Sequence, residues 1–157
     1  MPNFDGRISF VTGAGSGIGQ AMALTLAAEG STVVCSDINE QTAQATAARV
    51  EEIGAKGVAN ALDTADEEAV KEALIKTQRD LGRLDVLMNN AGVAGKDWDT
   101  TTAINFSGVY YGLMHACPIM AEQGGGAVVN TASVAGLGAL MRQQVAYHKD
   151  SAAVTGV

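Results

Sequence analysis

Between Thr12 and Gly19 the sequence reads T-G-A-G-S-G-I-G, directly after the apolar run Ile8 to Val11 and directly before a helical pattern. Glycines in such a turn let the backbone lie close against a pyrophosphate, and the amides that open the next helix meet its negative charge. The spacing is T-G-x-x-x-G-x-G; the generic G-x-G-x-x-G does not fit, because its third glycine would fall on Ile18 or Gln20. Gly13, Ser16, Gly17, Ile18 and Gly19 are therefore candidates for holding a nucleotide, against the competing reading of an ordinary tight turn. Asp37 follows Gly19 by eighteen residues and closes the run that starts at Thr32. An acid there accepts hydrogen bonds from the ribose hydroxyls of NAD and repels a 2′-phosphate. No Arg or Lys flanks it to receive NADP. Its alternative role is that of an acid at a helix N-terminus, favoured by the macrodipole.

These residues need a scaffold that brings strand ends together. Short β-rich runs at Ile8 to Val11, Thr32 to Cys35, Val58 to Leu62, Val86 to Met88 and Ala127 to Val129 alternate with helical patterns. Helices are expected from about Gly17 to Glu29 and from about Glu40 to Ile53, stopped by Gly30 and Gly54. Thr64 and Glu67 read as a capping box, after which Val70, Ala73, Leu74, Thr77 and Leu81 share one face while Glu68, Lys71 and Arg79 point away. A longer pattern from about Trp98 to Gln123 is apolar on more than one face, with Gly108 and Gly112 one turn apart. Such a helix is buried or packs against another subunit, and its glycines would allow close approach. Repeated β-α-β units with right-handed crossovers predict an α/β fold with a doubly wound parallel sheet, covered on both faces.

The 157 residues have room for one domain, and 47% apolar against 17% charged residues is a core-forming composition. A net charge of −7 and a pI near 4.6 argue against nucleic acid as a partner. Charge is uneven: fifteen acids and eight bases lie in residues 1–100, whereas 101–157 carry only Glu122, Asp150, Arg142 and Lys149. That last third is expected to be buried or covered by a partner. Cys35 and Cys117 sit in apolar runs and read as core packing, since two thiols make neither a secreted disulfide framework nor a four-ligand zinc site. The N-terminal MPNFDGRISF has no basic region leading into an apolar stretch, and no apolar run approaches the ~20 residues of a membrane span. A reduced, cytoplasmic setting without membrane or metal is the expectation.

With TGAGSGIG at 12–19, Asp37, N-N-A-G at 89–92, Asn105 in a W-D-x-x-x-x-x-N arrangement from Trp98, and then Ser133 and Tyr147, the chain resembles the short-chain dehydrogenase/reductase family over nearly its whole length. The resemblance implies a strand order of 3-2-1-4-5 and an oligomer, either a homodimer or a homotetramer. It also implies that Gly13, Ser16, Ile18 and Asp37 lie along NAD, that Asp63 approaches the adenine, and that Asn90, Ala91 and Gly92 support the sheet beside the cofactor. Asp63 also precedes the capping signal, so local capping competes, and the N-N-A-G turn has an ordinary strand-ending reading. For catalysis the resemblance implies Tyr147 as acid/base, Ser133 as the group that binds the substrate oxygen, and Asn105 as the holder of a proton-relay water. The expected reaction is hydride transfer between NAD(H) and a small or medium apolar alcohol or ketone.

The chain departs from the family in three places. The family's Tyr-x-x-x-Lys becomes Tyr147-His148-Lys149-Asp150-Ser151, and the A-A-V-x-G pattern that follows keeps its register, so Ser151 takes the lysine position. At ~100° per helical residue Lys149 points about 200° from Tyr147 and is a poor substitute. An unperturbed tyrosine has a pKa near ~10, which leaves about one phenolate in a thousand at neutral pH; an ammonium and the nicotinamide charge would lower it, and a missing ammonium removes one of those two effects. Only five residues separate Gly92 from Trp98, which shortens the rim of the cleft. The chain also ends at Val157, where family members continue through further strands and a substrate loop, so it is expected to be C-terminally incomplete relative to the family. Of a longer enzyme missing residues, a degraded relative and a complete small enzyme, the first accounts for all three departures together. The rival to an enzyme is a non-catalytic NAD-binding scaffold that acts through oligomerisation.

Overall fold

A computed structural model of the chain describes residues 4–134. Strands β1 (Ile8–Thr12), β2 (Thr32–Asp37), β3 (Gly57–Ala61), β4 (Val86–Asn89) and β5 (Ala127–Asn130) form a sheet in the order β3-β2-β1-β4-β5. Each neighbouring pair is parallel, with Phe10 beside Val34 and Leu87, and Val11 beside Cys35 and Met88. The alternation of a strand sorts these side chains into two cores. Phe10, Val34 and Leu87 pack under Val70, Ala73, Leu74, Ala116 and Met120, on the face covered by α3 (Glu67–Leu81) and by α5 (Gly108–Glu122). Val11, Val33 and Cys35 pack under Ala23, Leu26, Ala27, Ala47 and Val50, on the opposite face, covered by α1 (Gly17–Ala28) and α2 (Glu40–Glu52). Because β1 and β2 are buried on both sides, their interiors hold apolar and small residues, with Ser9 and Ser36 buried too, instead of an alternation of apolar and charged ones.

The helix stops fall where Gly30 and Gly54 predict them, with φ of 95° and 94°, and Gly82 ends α3 in the same way with φ of 89°. The start of α3 differs from the expected capping box. Asp66 is the N-cap, and its Oδ1 accepts from the Ala69 amide at 3.1 Å, while Thr64 is buried two residues before the cap. A carboxylate one residue before the helix reaches the amide three residues on, so the acceptor adjoining the helix prevails over the threonine two residues earlier.

The long pattern from Trp98 is a continuous helix in three parts: α4 (Trp98–Thr102), a π-helical turn over Ala103–Ser107, and α5. Its glycines face inward and are not available to a partner, so of the two expected roles they serve close packing within the chain. A Cβ at Gly112 would strike the Asn89 side chain, and one at Gly108 would lie 2.9 Å from the Thr64 carbonyl oxygen. Nor is the sparsely charged end uniformly buried: Phe106 and Tyr110 are exposed, and so is Cys117, which corrects its assignment to the core. Cys35 is buried as expected. Among the described residues no helix is long and apolar enough to cross a membrane.

Candidate active site

All five strands point their C-terminal ends toward one cleft of about 480 Å³, which is where a parallel sheet of this winding places its ligands. Gly13, Ser16, Gly17, Ile18, Gly19, Asp37, Asp63, Asn90, Ala91, Gly92, Asn105 and Ser133 all line it, so the structure brings together every candidate within the described residues. Tyr147 and Ser151 lie outside them.

The glycine turn is built for close packing. Gly13 has φ 64°, and a Cβ there would lie 2.9 Å from Ala91 Cα, so no other residue fits between β1 and β4. Gly19, in the first turn of α1, would place a Cβ 2.6 Å from Asn90 Nδ2. Gly17 has φ 52° with open space around it, so a side chain would project into the cleft in front of the α1 N-terminus. Ser16, the N-cap, makes no side-chain cap to the first amides of α1. Amides presented in this way, beside glycines, suit a pyrophosphate.

Asp37 ends β2 beside this turn. Its Oδ2 accepts from the Gly15 amide at 2.9 Å and its Oδ1 from the Asn39 amide at 3.0 Å. The cap of α2 is Asn39, whose Oδ1 accepts from Gln41 at 3.0 Å, so Asp37 is not the helix cap and keeps acceptor capacity toward the cleft. Ile38, 70% exposed, and Ile18, 63% exposed, both line the cleft. Ile38 was not among the sequence candidates; its signal is an apolar residue directly after a strand-ending acid, where no core is available to it. Asp63 is exposed, and its Oδ1 accepts from the Ala65 amide at 2.9 Å. The local turn and the cleft-lining position therefore coexist.

The N-N-A-G segment is held by one hydroxyl. Thr12 Oγ1 accepts from the Asn90 and Ala91 amides at 2.9 and 3.0 Å and donates to the Met88 carbonyl at 3.2 Å. Asn90 Nδ2 donates to the Thr12 carbonyl at 3.1 Å, and Thr131 Oγ1 donates to Asn90 Oδ1 at 3.2 Å, which ties the ends of β1, β4 and β5 together. Thr12 was read only as the start of the glycine motif, yet its hydroxyl is the hub of this turn.

Asn105 lies in the π-helical turn and is 8% exposed. Its Oδ1 accepts from the Val93 amide at 2.8 Å and its Nδ2 donates to the Val93 carbonyl at 2.9 Å. The short connection from Gly92 is thus clamped to the helix along one edge of the cleft. Its far end is Asp97, the N-cap of α4; hydrogen bonds from the Thr100 amide and hydroxyl hold its carboxyl below the usual carboxylate range. Ser133 follows β5 and is half-buried.

A parallel sheet with a glycine turn after β1, an acid at the end of β2 and a cleft across the β1–β4 crossover defines a dinucleotide-binding class of protein. The short chain dehydrogenase family model matches residues 7–156, and the chain belongs to the short-chain dehydrogenase/reductase family. It is 38% identical to cyclohexanol dehydrogenase of Acinetobacter sp. (strain SE19) over 144 residues, covering 85% of this chain and 57% of that protein. It is 40% identical to D-threitol dehydrogenase of Mycolicibacterium smegmatis (strain ATCC 700084 / mc(2)155) over 164 residues, covering 98% and 62%. The crystal structure of NAD+-bound xylitol dehydrogenase superposes with a TM-score of 0.94 at 33% identity, covering 99% of this chain and 63% of that one. The chain therefore spans about three fifths of the length of these relatives.

Proposed function

We propose that the protein is an NAD(H)-dependent oxidoreductase that interconverts a small or medium apolar alcohol and its ketone. The observation that carries this reading is Asp37: a carboxylate at the end of β2, bonded to the Gly15 amide, facing a cleft whose described lining contains neither Arg nor Lys. The names of the relatives, dehydrogenases acting on cyclohexanol, threitol and xylitol, support the reaction class. The residues present fit the dinucleotide, since the glycines leave room for its phosphates and Asp37 for its ribose.

NAD, when bound, supplies the carbon that takes or returns hydride. In this reading Tyr147 takes the hydroxyl proton during oxidation and returns it during reduction, while Ser133 holds the reacting oxygen by a hydrogen bond. Asn105 steadies the rim through Val93; one further hydrogen and one further lone pair on its amide are available to a relay water. Asn90, Ala91 and Gly92 form the floor through Thr12, and Asp63 lies on the adenine side of the cleft. The reading includes a single domain over 1–157, a homodimer or homotetramer formed through the outward face of the long helix, where Phe106 of the π-helical turn and Tyr110 of α5 are exposed, and a cytoplasmic setting in which Cys35 and Cys117 stay free thiols.

Titration of the protein with NADH and NADPH, followed by nicotinamide fluorescence, tests the reading. NADH is expected to bind more tightly; tighter binding of NADPH would overturn it. NADH binding without turnover of any simple ketone would favour the scaffold.

A further inference from the structure

Threonines within helices ordinarily turn their hydroxyls back onto the carbonyl one turn earlier. Thr25 and Thr77 do so, donating to Ala21 at 2.9 Å and to Ala73 at 2.8 Å. Thr46, fully buried in the middle of α2, does not. Its Oγ1 donates at 2.9 Å to the carbonyl of Ala14, 32 residues away in the glycine turn. The same oxygen accepts at 3.0 Å from Gln20 Nε2 on α1, and Gln20 Oε1 in turn accepts from Arg49 Nη1 at 2.6 Å on the surface of α2.

The carbonyl of Ala14 and the amide of Gly15 belong to one peptide group. Thr46 holds its oxygen, and Asp37 holds its N–H at 2.9 Å. On the preceding peptide, the Ala14 amide donates to the Ser36 carbonyl at 2.8 Å. The Ala14–Gly15 peptide plane is therefore pinned at both ends by groups from β2 and α2. Thr42, one turn before Thr46, lies so close that any side chain at Gly15 would collide with it.

We propose that Thr46 is a positioning residue for dinucleotide binding: it sets the orientation of the Ala14–Gly15 peptide, and through it both the amides of the glycine turn and the seat of Asp37. The inference rests on the NAD(H) reading above. Without the hydroxyl, the buried Ala14 carbonyl loses its donor and the peptide is free to rotate away from Asp37. The binding-competent turn is then only one of several conformers, and apparent affinity falls with its population.

The test compares Thr46→Val, which keeps the shape and removes the hydroxyl, with Thr46→Ser, which restores it, and with Thr77→Val, the same change at a buried helical threonine under a different core. NADH dissociation constants and amide exchange at Gly15, Ser16 and Gly17 in the cofactor-free protein are measured for each. Thr46→Val is expected to raise the NADH dissociation constant roughly 3- to 10-fold and to speed exchange at those amides, while Thr46→Ser and Thr77→Val stay close to the parent. Unchanged affinity in Thr46→Val, or an equal loss in Thr77→Val, would overturn the proposal. If the parent itself binds no NADH, the dinucleotide reading fails and exchange decides alone: faster exchange confined to Thr46→Val supports the positioning role, and equal exchange in both valine variants refutes it.

Discussion

The Asp37 carboxylate faces two demands, one from the Gly15 and Asn39 amides and one from the cleft. Each carboxylate oxygen accepts more than one hydrogen bond, so a ribose can be bound without breaking either contact. Replacing Asp37 by Ala removes the acceptors and the negative charge together. NADH is expected to bind roughly 10-fold more weakly, as for loss of charge-assisted hydrogen bonds, while NADPH loses its repulsion, so the ratio of the two dissociation constants moves toward one. For Tyr147, Tyr147→Phe is expected to lower turnover by roughly 10²- to 10⁴-fold with NADH affinity retained. Equal turnover in parent and variant would defeat the catalytic assignment. Cys35 shows the opposite environment: burial pushes its thiol up to about 12, so it is expected to resist thiol reagents until the protein is unfolded.

At the scale of elements, the helix from Trp98 to Glu122 does two jobs. Its π-helical turn presents Asn105 to Val93, and the extra residue in that turn shifts the face that follows, so that Gly108 meets Thr64 in the turn after β3 and Gly112 meets Asn89 at the end of β4. Asn89 sits against Gly112, donating to the Val109 carbonyl at 3.3 Å and to Asn130 Oδ1 at 3.0 Å. Gly112→Ala would place a methyl on that side chain, and it is expected to destabilise the fold by about 1–3 kcal/mol in urea unfolding, despite the better helix propensity of alanine. Loss of the α3 cap in Asp66→Ala is expected to cost about 1 kcal/mol by the same measurement.

At the scale of the whole molecule, the end of the sheet away from the cleft is tied by Asp85, which is 4% exposed. It accepts from Arg83 Nε and Nη2 at 2.6 Å each, from Arg7 Nη1 at 2.8 Å and from the Ile8 amide at 2.9 Å. Burial pushes its carboxyl up, but the hydrogen bonds from Arg83, Ile8 and Arg7 together outweigh it and hold it below the ordinary 3.8. A carboxyl more acidic in the folded than in the unfolded chain stabilises the fold fully at neutral pH, and the contribution is lost as pH falls below about 4 through the folded value. Asp85→Asn is therefore expected to be less stable than the parent at pH 7, by more than about 1 kcal/mol in urea unfolding, with the gap narrowing in acid. The exposed aromatic side chains of Phe106 and Tyr110 predict self-association: sedimentation at micromolar concentration is expected to give a dimer or tetramer, and Tyr110→Glu to shift it toward monomer.

What was legible in the sequence was whatever depends on local order. Strand and helix alternation, the glycine stops and the positions of Gly13 and Asp37 at strand ends follow from periodicities of two and 3.6 residues and from residues that only one backbone conformation suits. Since strand ends in a parallel sheet converge on one side, naming those residues already placed them in one cleft. What the tertiary structure decided were the choices that depend on how a helix is rotated against its neighbours. Thr46 reads in sequence as an ordinary helical threonine, yet it reaches Ala14 because α2 packs across the glycine turn. Gly108 and Gly112 face Thr64 and Asn89, and Cys117 faces outward, because a helix apolar on several faces carries no periodic signal for which face turns inward. Asn105 finds Val93 across twelve residues through the close return of the short connection. Each of these pairings joins residues whose separation in sequence bears no fixed relation to their separation in space, and packing alone selects them.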